Sequence, residues 1–315
     1  MSQTKEGAGR HAHHARLIER GKGVAALPAA VAHPCDELSL CAAVEAAEHG
    51  LIEPILVGPR GRVERLAAQH RIPLAGLRLV DVPHSHAAAA RAVELVRAGE
   101  ASILVKGSLH TDELMTEVLR KDTGLRTGRR VSQVFVMDVP AYPKPLFVTD
   151  AAVHIFPTLE DKVDICRNVI DLAHDLGIAR PKVAILSAVE TVSSKIPSTI
   201  DAAALCKMAD RKQITGALLD GPLAMDNALD PRAARAKGIE SPVAGEADVL
   251  LAPDLEAGNM VAKLLSFLGG AEAAGIVLGA RVPIVLTSRS DGVAARLASA
   301  AVAVLLAHAR RSLRA

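Results

Sequence analysis

The sequence predicts an α/β protein in which helices pack on mostly parallel sheets. Half of its 315 residues are hydrophobic but only 2% are aromatic, so Ala, Val, Leu and Ile fill the core, as is typical of helices on a parallel sheet. From about residue 36 onwards, short apolar segments alternate with amphipathic ones, which is the βαβ rhythm of a doubly wound sheet. The length leaves room for two domains of ordinary size.

The elements follow this rhythm in order up to about residue 120. The first is an amphipathic helix at 36–50, with Asp36 as its N-cap and Gly50 as its stop. The next predicted strands are 54–59, 77–82 and 103–108, and the helices after them are 62–70, 86–99 and 111–120. Residues 1–15 are expected to be a disordered tail, because the His residues of "HAHHAR" have no Cys or acidic ligand beside them for a metal.

The rhythm changes at residues 131–150, where the Pro-rich "PAYPKP" joins two strands, 131–139 and 145–150. Such a tight return favours an antiparallel pair, and we place a domain transition near residue 129. The alternation then resumes up to a last helix at 292–313, whose terminal Arg residues suit its negative end. The other helices are 159–177, 199–211 and 259–270, and the other strands are 182–187, 214–221, 247–253, 274–279 and 283–287.

Composition and charge argue against several classes of protein. A formal net charge of +2 and a single Tyr are not typical of nucleic-acid binders, which usually have a basic excess or stacking aromatic residues. The sequence has no run of about 18 uncharged apolar residues, so no membrane span is predicted. The N-terminus lacks the apolar stretch of a signal peptide. The four Cys form no C-x-x-C pair, which favours reduced thiols in a cytoplasmic protein.

Two sets of polar residues follow predicted strands, and open α/β sheets bind ligands outside the carboxyl ends of their strands. Gly lets backbone N–H groups approach an anion, and Lys or Arg supplies the compensating charge. The sequence therefore indicates a site for a phosphorylated ligand. The first set is Lys106, Gly107, Ser108 and His110, and the second is Ser288, Arg289 and Asp291.

These residues also have structural interpretations. His110 could simply begin a helix, and Ser288 and Asp291 could cap the final helix. Arg289 beside the first turn of that helix is electrostatically unfavourable unless an anion compensates it, which favours a functional site. No P-loop, dinucleotide fingerprint, nucleophile elbow or zinc-binding helix motif occurs, so the pattern alone indicates an anion-binding α/β enzyme.

Three stretches carry a family resemblance: "LLDGPLAMDNAL" (218–229), "SPVAGEADVLLAPDLEAGNMVAKLLSFLGGAEAAG" (241–275) and "PIVLTSRSDG" (283–292). With them, the chain resembles the phosphate acetyltransferase and phosphate butyryltransferase family over about residues 20–312. The resemblance implies two α/β/α domains, with the second (129–276) inserted in the first (1–128 and 277–315). Coenzyme A and an acyl phosphate would bind in the cleft between them.

The activity implied is the interconversion of acetyl-CoA and phosphate with acetyl phosphate and CoA, by direct attack of the thiol. The resemblance implies CoA as a substrate, no metal and no permanent cofactor, and a homodimer. Ser288 would contact the carbonyl or phosphate oxygen and Arg289 the phosphate, whereas Ala295 stands where the acetyl-specific enzymes have a general-base Asp. Asp291 is then the candidate base. The residues expected to bind CoA or substrate are Lys106, Gly107, Ser108, His110, Asp220, Asn259 and Lys263.

Three alternatives stay open. The S-R-S-D form of residues 288–291 resembles the butyryl branch, so a C3–C4 acyl group is one. A catalytically silent acyl-CoA-binding regulatory protein is another, since two Arg residues of the acetyl-specific enzymes are also missing. Thr116 lies near the position expected for one of them. Arg126, Arg129 or Arg130 could take the place of the missing residues. The third is a phosphate-binding dehydrogenase of related shape. The sequence shows no metal-binding group of Asp residues that would support it.

Overall fold

A computed structural model describes residues 11–288 and 291–312, and these form a mixed α/β fold with mostly parallel strands, which confirms the predicted class. The helices are α1 Ala12–Lys22, α2 Glu37–Glu48, α3 Arg60–His70, α4 Ser85–Arg97, α5 Thr111–Leu119, α6 Leu159–Asp175, α7 Pro197–Asp210, α8 Met225–Leu229, α9 Pro231–Ala236, α10 Leu255–Phe267 and α11 Val293–Ser312. The strands are β1 Leu27–Ala32, β2 Ile52–Gly58, β3 Arg78–Asp81, β4 Ile103–Lys106, β5 Ser132–Asp138, β6 Leu146–Thr149, β7 Lys182–Leu186, β8 Leu218–Leu223, β9 Val249–Leu251, β10 Glu272–Leu278 and β11 Ile284–Val285.

One compact unit, the terminal unit, comprises His14–Arg129 and Ala274–Ala315. Its strands lie in the order β3-β2-β1-β4-β11-β10, and all these pairs are parallel except β10–β11. The carboxyl ends of β1, β4 and β11 therefore lie side by side at one edge, where Ala32 pairs with Lys106 and Val105 with Val285.

The other compact unit, the central unit, comprises Met1–His13 and Arg130–Ala273. Its strands lie in the order β5-β6-β9-β7-β8. The predicted antiparallel pair is confirmed, since Val134 of β5 lies opposite Thr149 of β6. The pairs of β9 with β6 and β7 and of β7 with β8 are parallel, so the predicted return to parallel alternation is also confirmed.

Helix α11 is the core helix of the terminal unit. By length and composition alone, its stretch Val293–Arg311 could cross a membrane. However, 61% of this apolar stretch is buried inside the fold. The Ser299 hydroxyl on this helix accepts a hydrogen bond from the Gly275 N–H of β10, at 3.0 Å. Burial against a sheet accounts for the apolar character of this helix.

The predicted caps are confirmed where the structure tests them. The Asp36 carboxylate accepts from the Ser39 N–H at the start of α2, and Gly50 has φ +68° directly after its end. The predicted start of α10 at residue 259 is wrong: the Asp254 carboxylate accepts from the Ala257 N–H, so this helix begins at Leu255.

Four elements were not predicted. The first predicted element starts at residue 36, which leaves out α1 and β1, and no helix was predicted at α8 or α9. Residues 12–15 belong to α1 rather than to the predicted tail, and residues 1–10 lie outside the described part of the chain. The predicted domains, 1–128 with 277–315 and 129–276, stay a prediction, because packing does not measure independent folding.

Candidate active site

The predicted site around Lys106 lies at the edge where β1, β4 and β11 end. The chain after β4 is bonded to the chain after β1: Gly107 N–H donates to Ala32 C=O and Ser108 N–H to His33 C=O, both at 2.9 Å. These two loops therefore form one surface, although the residues are more than 70 positions apart in the sequence.

Ser108 ties the two loops together with its side chain. Its hydroxyl donates to the His33 carbonyl at 2.8 Å, accepts from the Cys35 N–H at 3.3 Å and lies 3.0 Å from His33 Nδ1. Burial, followed by the charge of Arg62, lowers the pKa of His33. Ser108 thus builds the surface in addition to any part it takes in binding.

Gly107 is required by close packing. A Cβ atom at this position would lie 2.4 Å from the Ala32 carbonyl oxygen and 2.5 Å from that of His33. Both neighbours are backbone atoms of the end of β1 and cannot turn away. Only glycine therefore allows β4 to end against β1, which gives the K-G-S pattern a structural reason beside the predicted functional one.

Lys106 is a buried lysine, only 4% exposed. Its Nζ lies 3.4 Å from the Gly107 carbonyl, and it lines a cavity of about 20 Å³ together with Ser39, Thr287 and Arg296. That volume holds about one water molecule. A buried cation at a strand end places positive charge where the predicted site needs it.

Thr287, Ser288 and Asp291, here called the serine turn, lie between β11 and α11. Ser288 is exposed, and its N–H donates to the Asp291 carboxylate at 2.7 Å. The Asp291 N–H in turn donates to the Ser288 carbonyl at 3.2 Å. Arg289, together with residue 290, lies outside the described residues.

The Asp291 carboxyl has the electrostatics of a proton acceptor. Burial raises its pKa, while the bond from Ser288 N–H and the charges of Arg296 and Lys106 act in the opposite direction. A raised pKa makes a carboxylate a stronger base. The same carboxylate caps the serine turn, so the structural and the catalytic interpretations apply to the same atoms.

Arg296 and His33 were missed by the sequence reading. The Arg296 side chain is 7% exposed and binds the serine turn from the first turn of α11. Arg296, like Arg289, lies near the start of a helix and needs a compensating partner there, and this is the signal in the sequence that points to it. His33 was missed because the reading began after it.

His110 is the N-cap residue of α5 and makes no side-chain capping bond. The first turn of α5 carries Asp112 and Glu113, whose charges already complement the helix dipole. This position is therefore less favourable for an anion than the neighbouring Lys106. The predicted binding role of His110 stays a prediction.

The remaining predicted residues lie in the central unit. The Asp220 carboxylate accepts from its neighbour Gly221 N–H at 2.9 Å on β8, and the Asn259 amide donates to the Ala151 carbonyl at 3.1 Å. Lys263 is exposed, one helical turn beyond Asn259 on α10. Asn259 is thus part of the packing of α10 against the loop after β6.

Metal binding finds no support in the part of the chain that the structure describes. There, no group of three or more His, Cys, Asp or Glu residues is arranged to hold a metal ion. The charged groups gathered at the ends of β4 and β11 are Lys106, Asp291 and Arg296. Two cations and a carboxyl are suited to binding an anion and to moving a proton.

Comparisons with known proteins agree with this chemistry. A family model described as "Phosphate acetyl/butaryl transferase" matches residues 85–304. The chain is 64% identical to a phosphate acetyltransferase from Rhizobium meliloti, over 94% of both chains. It is 41% identical to a phosphate butyryltransferase from Clostridium acetobutylicum, over 88% of this chain and 92% of the other. A solved branched-chain phosphotransacylase from Enterococcus faecalis V583 aligns with a TM-score of 0.79 at 30% identity, covering 90% and 99% of the two chains.

Proposed function

The chain belongs to the phosphate acetyltransferase and phosphate butyryltransferase family, and from that premise we propose that it interconverts acetyl-CoA and phosphate with acetyl phosphate and CoA. One observation carries the choice of acetyl: identity to the Rhizobium meliloti acetyltransferase is far higher than identity to the butyryltransferase. CoA is then a substrate, and no permanently bound cofactor is needed for the transfer.

The reaction begins with loss of a proton from the CoA thiol. A thiol with a pKa of about 8.5 is mostly protonated at neutral pH, so a nearby base increases the reactive fraction. Asp291 is the proposed base, because burial raises its pKa and its place at the serine turn brings it beside Ser288. The thiolate then forms the S–C bond, the bond from carbon to the phosphate oxygen breaks, and phosphate leaves.

Negative charge grows on the carbonyl oxygen and on the leaving phosphate during this step. We assign Ser288 to the carbonyl or phosphate oxygen and Arg289 to the phosphate. Groups of this kind contribute about 2–4 kcal/mol each in a site from which water is excluded. Lys106, buried and close enough to lower the pKa of Asp291, adds positive charge at the same edge.

Direct attack by CoA, rather than an acyl-enzyme on a cysteine, is supported by the four thiols. Burial raises the pKa of Cys35 and Cys41 to about 11 and that of Cys166 and Cys206 to about 12. These thiols are protonated at neutral pH and are therefore poor nucleophiles. Their unpaired state also suits the reducing cytoplasm, where we place the protein.

The proposed function is tested by following CoA consumption with acetyl, propionyl and butyryl phosphate. We expect the highest kcat/KM with acetyl phosphate and a requirement for no added metal. A higher kcat/KM with butyryl phosphate would move the protein to the butyryl branch. If none of the three is turned over and calorimetry still detects acetyl-CoA binding, the protein is a silent sensor and the proposal is wrong.

For the oligomer, we infer a homodimer formed through the exposed face of α10. Met260, Leu264, Phe267 and Leu268 are 67%, 56%, 72% and 81% exposed, which is unusual for large apolar side chains on one helix. Glu256 and Lys263 are exposed on the same helix, with Glu256 before the apolar residues and Lys263 among them. Packing this face against the same face of a second copy would bury the apolar side chains in a two-fold interface.

Sedimentation of the variant Leu264→Glu tests this interface. We expect dissociation to monomers, whereas Val192→Glu, in the loop between β7 and α7 at a site that is 57% exposed, should sediment like the wild type. A wild-type monomer, or an unchanged dimer in Leu264→Glu, would contradict the assignment. Lys263 lies on the proposed interface helix and is also a predicted CoA-binding residue. A Lys263→Ala variant that raises KM for CoA without weakening the dimer would favour the binding role.

A further inference from the structure

Arg296 directs all of its side-chain nitrogens at the serine turn. Nη1 donates to the Thr287 hydroxyl at 2.9 Å, Nη2 to the Ser288 carbonyl at 2.9 Å, and Nε to the Asp291 carbonyl at 3.1 Å. The three acceptors come from three different residues of one turn. A planar guanidinium is the side chain that can reach three acceptors in fixed directions, and neither Lys nor an amide can do so.

This arrangement is not explained by packing. Burial lowers the pKa of Arg296, and a cation in the first turn of a helix opposes the helix dipole. The cavity beside its side chain is lined mostly by apolar residues such as Ala42, Ala43 and Ala300, so burying a charge there has a desolvation cost. The charges of Asp36 and Asp291 only partly offset this cost.

What the guanidinium does is fix the backbone of Ser288. The Ser288 carbonyl accepts from Arg296, while the Ser288 N–H donates to the Asp291 carboxylate at 2.7 Å. Both polar backbone groups of this residue are therefore held, and so is the direction of its Cα–Cβ bond. The neighbouring Thr287, which is 2% exposed, is anchored by the same side chain.

We propose that Arg296 is a positioning residue for acyl transfer: its guanidinium holds the serine turn so that the Ser288 hydroxyl meets the reacting acyl phosphate in a fixed orientation. The proposal rests on the proposed function, and it concerns a residue that would not itself contact the substrate. Misplacing a group in the transition state by about 1 Å lowers the rate by about 10²-fold, so loss of this hold should act on kcat.

The test is Arg296→Lys, which keeps the charge and most of the volume but loses the three-way geometry. We expect kcat to fall by about 10²-fold. KM for CoA and for acetyl phosphate should stay within about threefold, because binding of the ground state does not depend on the Ser288 orientation. The melting temperature should fall, because Lys leaves buried acceptors unpaired, so kcat is compared at a temperature where both proteins are folded. Arg311→Lys, the same change on the same helix where Arg311 bonds Ser102, is the matched control and should leave kcat unchanged.

Thr287→Val provides a second, milder variant, since it removes only the acceptor of Nη1. We expect a smaller fall in kcat, of about tenfold, with KM again unchanged. If Arg296→Lys does not fold, this variant decides. Wild-type kcat in Thr287→Val would then overturn the proposal.

The remaining outcomes separate this proposal from the proposed function. Wild-type kcat in a folded Arg296→Lys, or a raised KM with kcat unchanged, would overturn the positioning role. If the wild type itself shows no turnover, the proposed function fails. Hydrogen exchange in the peptide 286–292 then tests whether Arg296 restrains the serine turn. Faster exchange in Arg296→Lys than in the wild type supports it, and equal exchange refutes it.

Discussion

Two turns of this chain are each built around an aspartate that follows a strand, and they differ in what the carboxylate does. After β6 in the central unit, Asp150 accepts from the N–H groups of Gln133, Ala152 and Val153 through Oδ1. Its Oδ2 accepts from the His154 N–H at 3.1 Å and lies 2.7 Å from His154 Nδ1. After β11 in the terminal unit, Asp291 bonds the Ser288 N–H and has Lys106 and Arg296 as charged neighbours.

The difference shows how a structural carboxylate is distinguished from a candidate base. Asp150 is 4% exposed and surrounded by donors of its own loop and of β5, so both of its oxygens are used in holding backbone. Asp291 is half-buried, beside an exposed serine and two cations, and burial raises its pKa. Both residues follow apolar strands, and it is this combination around Asp291 that marks a candidate base.

The largest effect is expected at the structural turn, where Asp150→Ala removes every one of these acceptors. Buried N–H donors left without partners should lower the free energy of unfolding by about 3 kcal/mol or more. Asp150→Asn keeps an acceptor oxygen for the three N–H groups at Oδ1 and should lose less. Denaturant unfolding measures both variants, and an Asp150→Ala protein as stable as the wild type would remove the structural half of the comparison.

The opposite pattern is expected at the serine turn. Ser288→Ala should lower kcat by about 10²-fold or more, because a group that stabilises charge in the transition state is lost. Its melting temperature should stay near that of the wild type, since the substitution keeps the backbone N–H and carbonyl through which Ser288 bonds Asp291 and Arg296. The family resemblance predicts the same loss of turnover for Arg289→Ala. Lower stability with nearly full activity in Ser288→Ala would mean that the serine turn, too, is only structural.

The two turns also differ in how far the sequence could predict them. "PIVLTSRSDG" combines a strand, a hydroxyl, a guanidinium and a carboxylate in ten residues, so its site could be predicted from local pattern and family resemblance together. The hold of Arg296 on this turn could not, because it depends on a side chain returning from the next helix to three specific backbone and hydroxyl oxygens. The bond between Ser108 and His33 joins residues 75 positions apart, and no local pattern encodes it.

The missed elements have a similar reason. Strand β1 reads "LPAAVA", in which Pro and three Ala are weak strand formers, and its place between β2 and β4 rather than its composition makes it a strand. Helix α1 reads "AHHARLIERGK", where His and Arg hide the few apolar positions, Leu17 among them, that pack inward. By contrast, α2 has Asp36 at its N-cap, and that local chemistry was enough to predict the cap.

The smallest effect, and the sharpest separation of capping from catalysis, is expected from Asp291→Asn. Asn still offers an oxygen to the Ser288 N–H and caps helices about as well as Asp, so the serine turn should persist. It cannot take the thiol proton, and only about one in thirty thiols with a pKa of about 8.5 is ionised at pH 7, so turnover there should fall by up to about thirtyfold. The deficit should shrink as the pH approaches about 8.5, where CoA ionises without help.

Stability supplies the control for this variant. Because the pKa of Asp291 is raised in the folded protein, the folded state binds more protons than the unfolded state between the ordinary carboxyl pKa and the raised one. The free energy of unfolding therefore falls as the pH rises through that window, and Asp291→Asn should lose this part of the pH dependence.

Asp291→Ala removes the cap as well as the base, so its loss of turnover should persist at high pH. Equal deficits for Asn and Ala at every pH would identify Asp291 as a cap and leave the base to be found elsewhere.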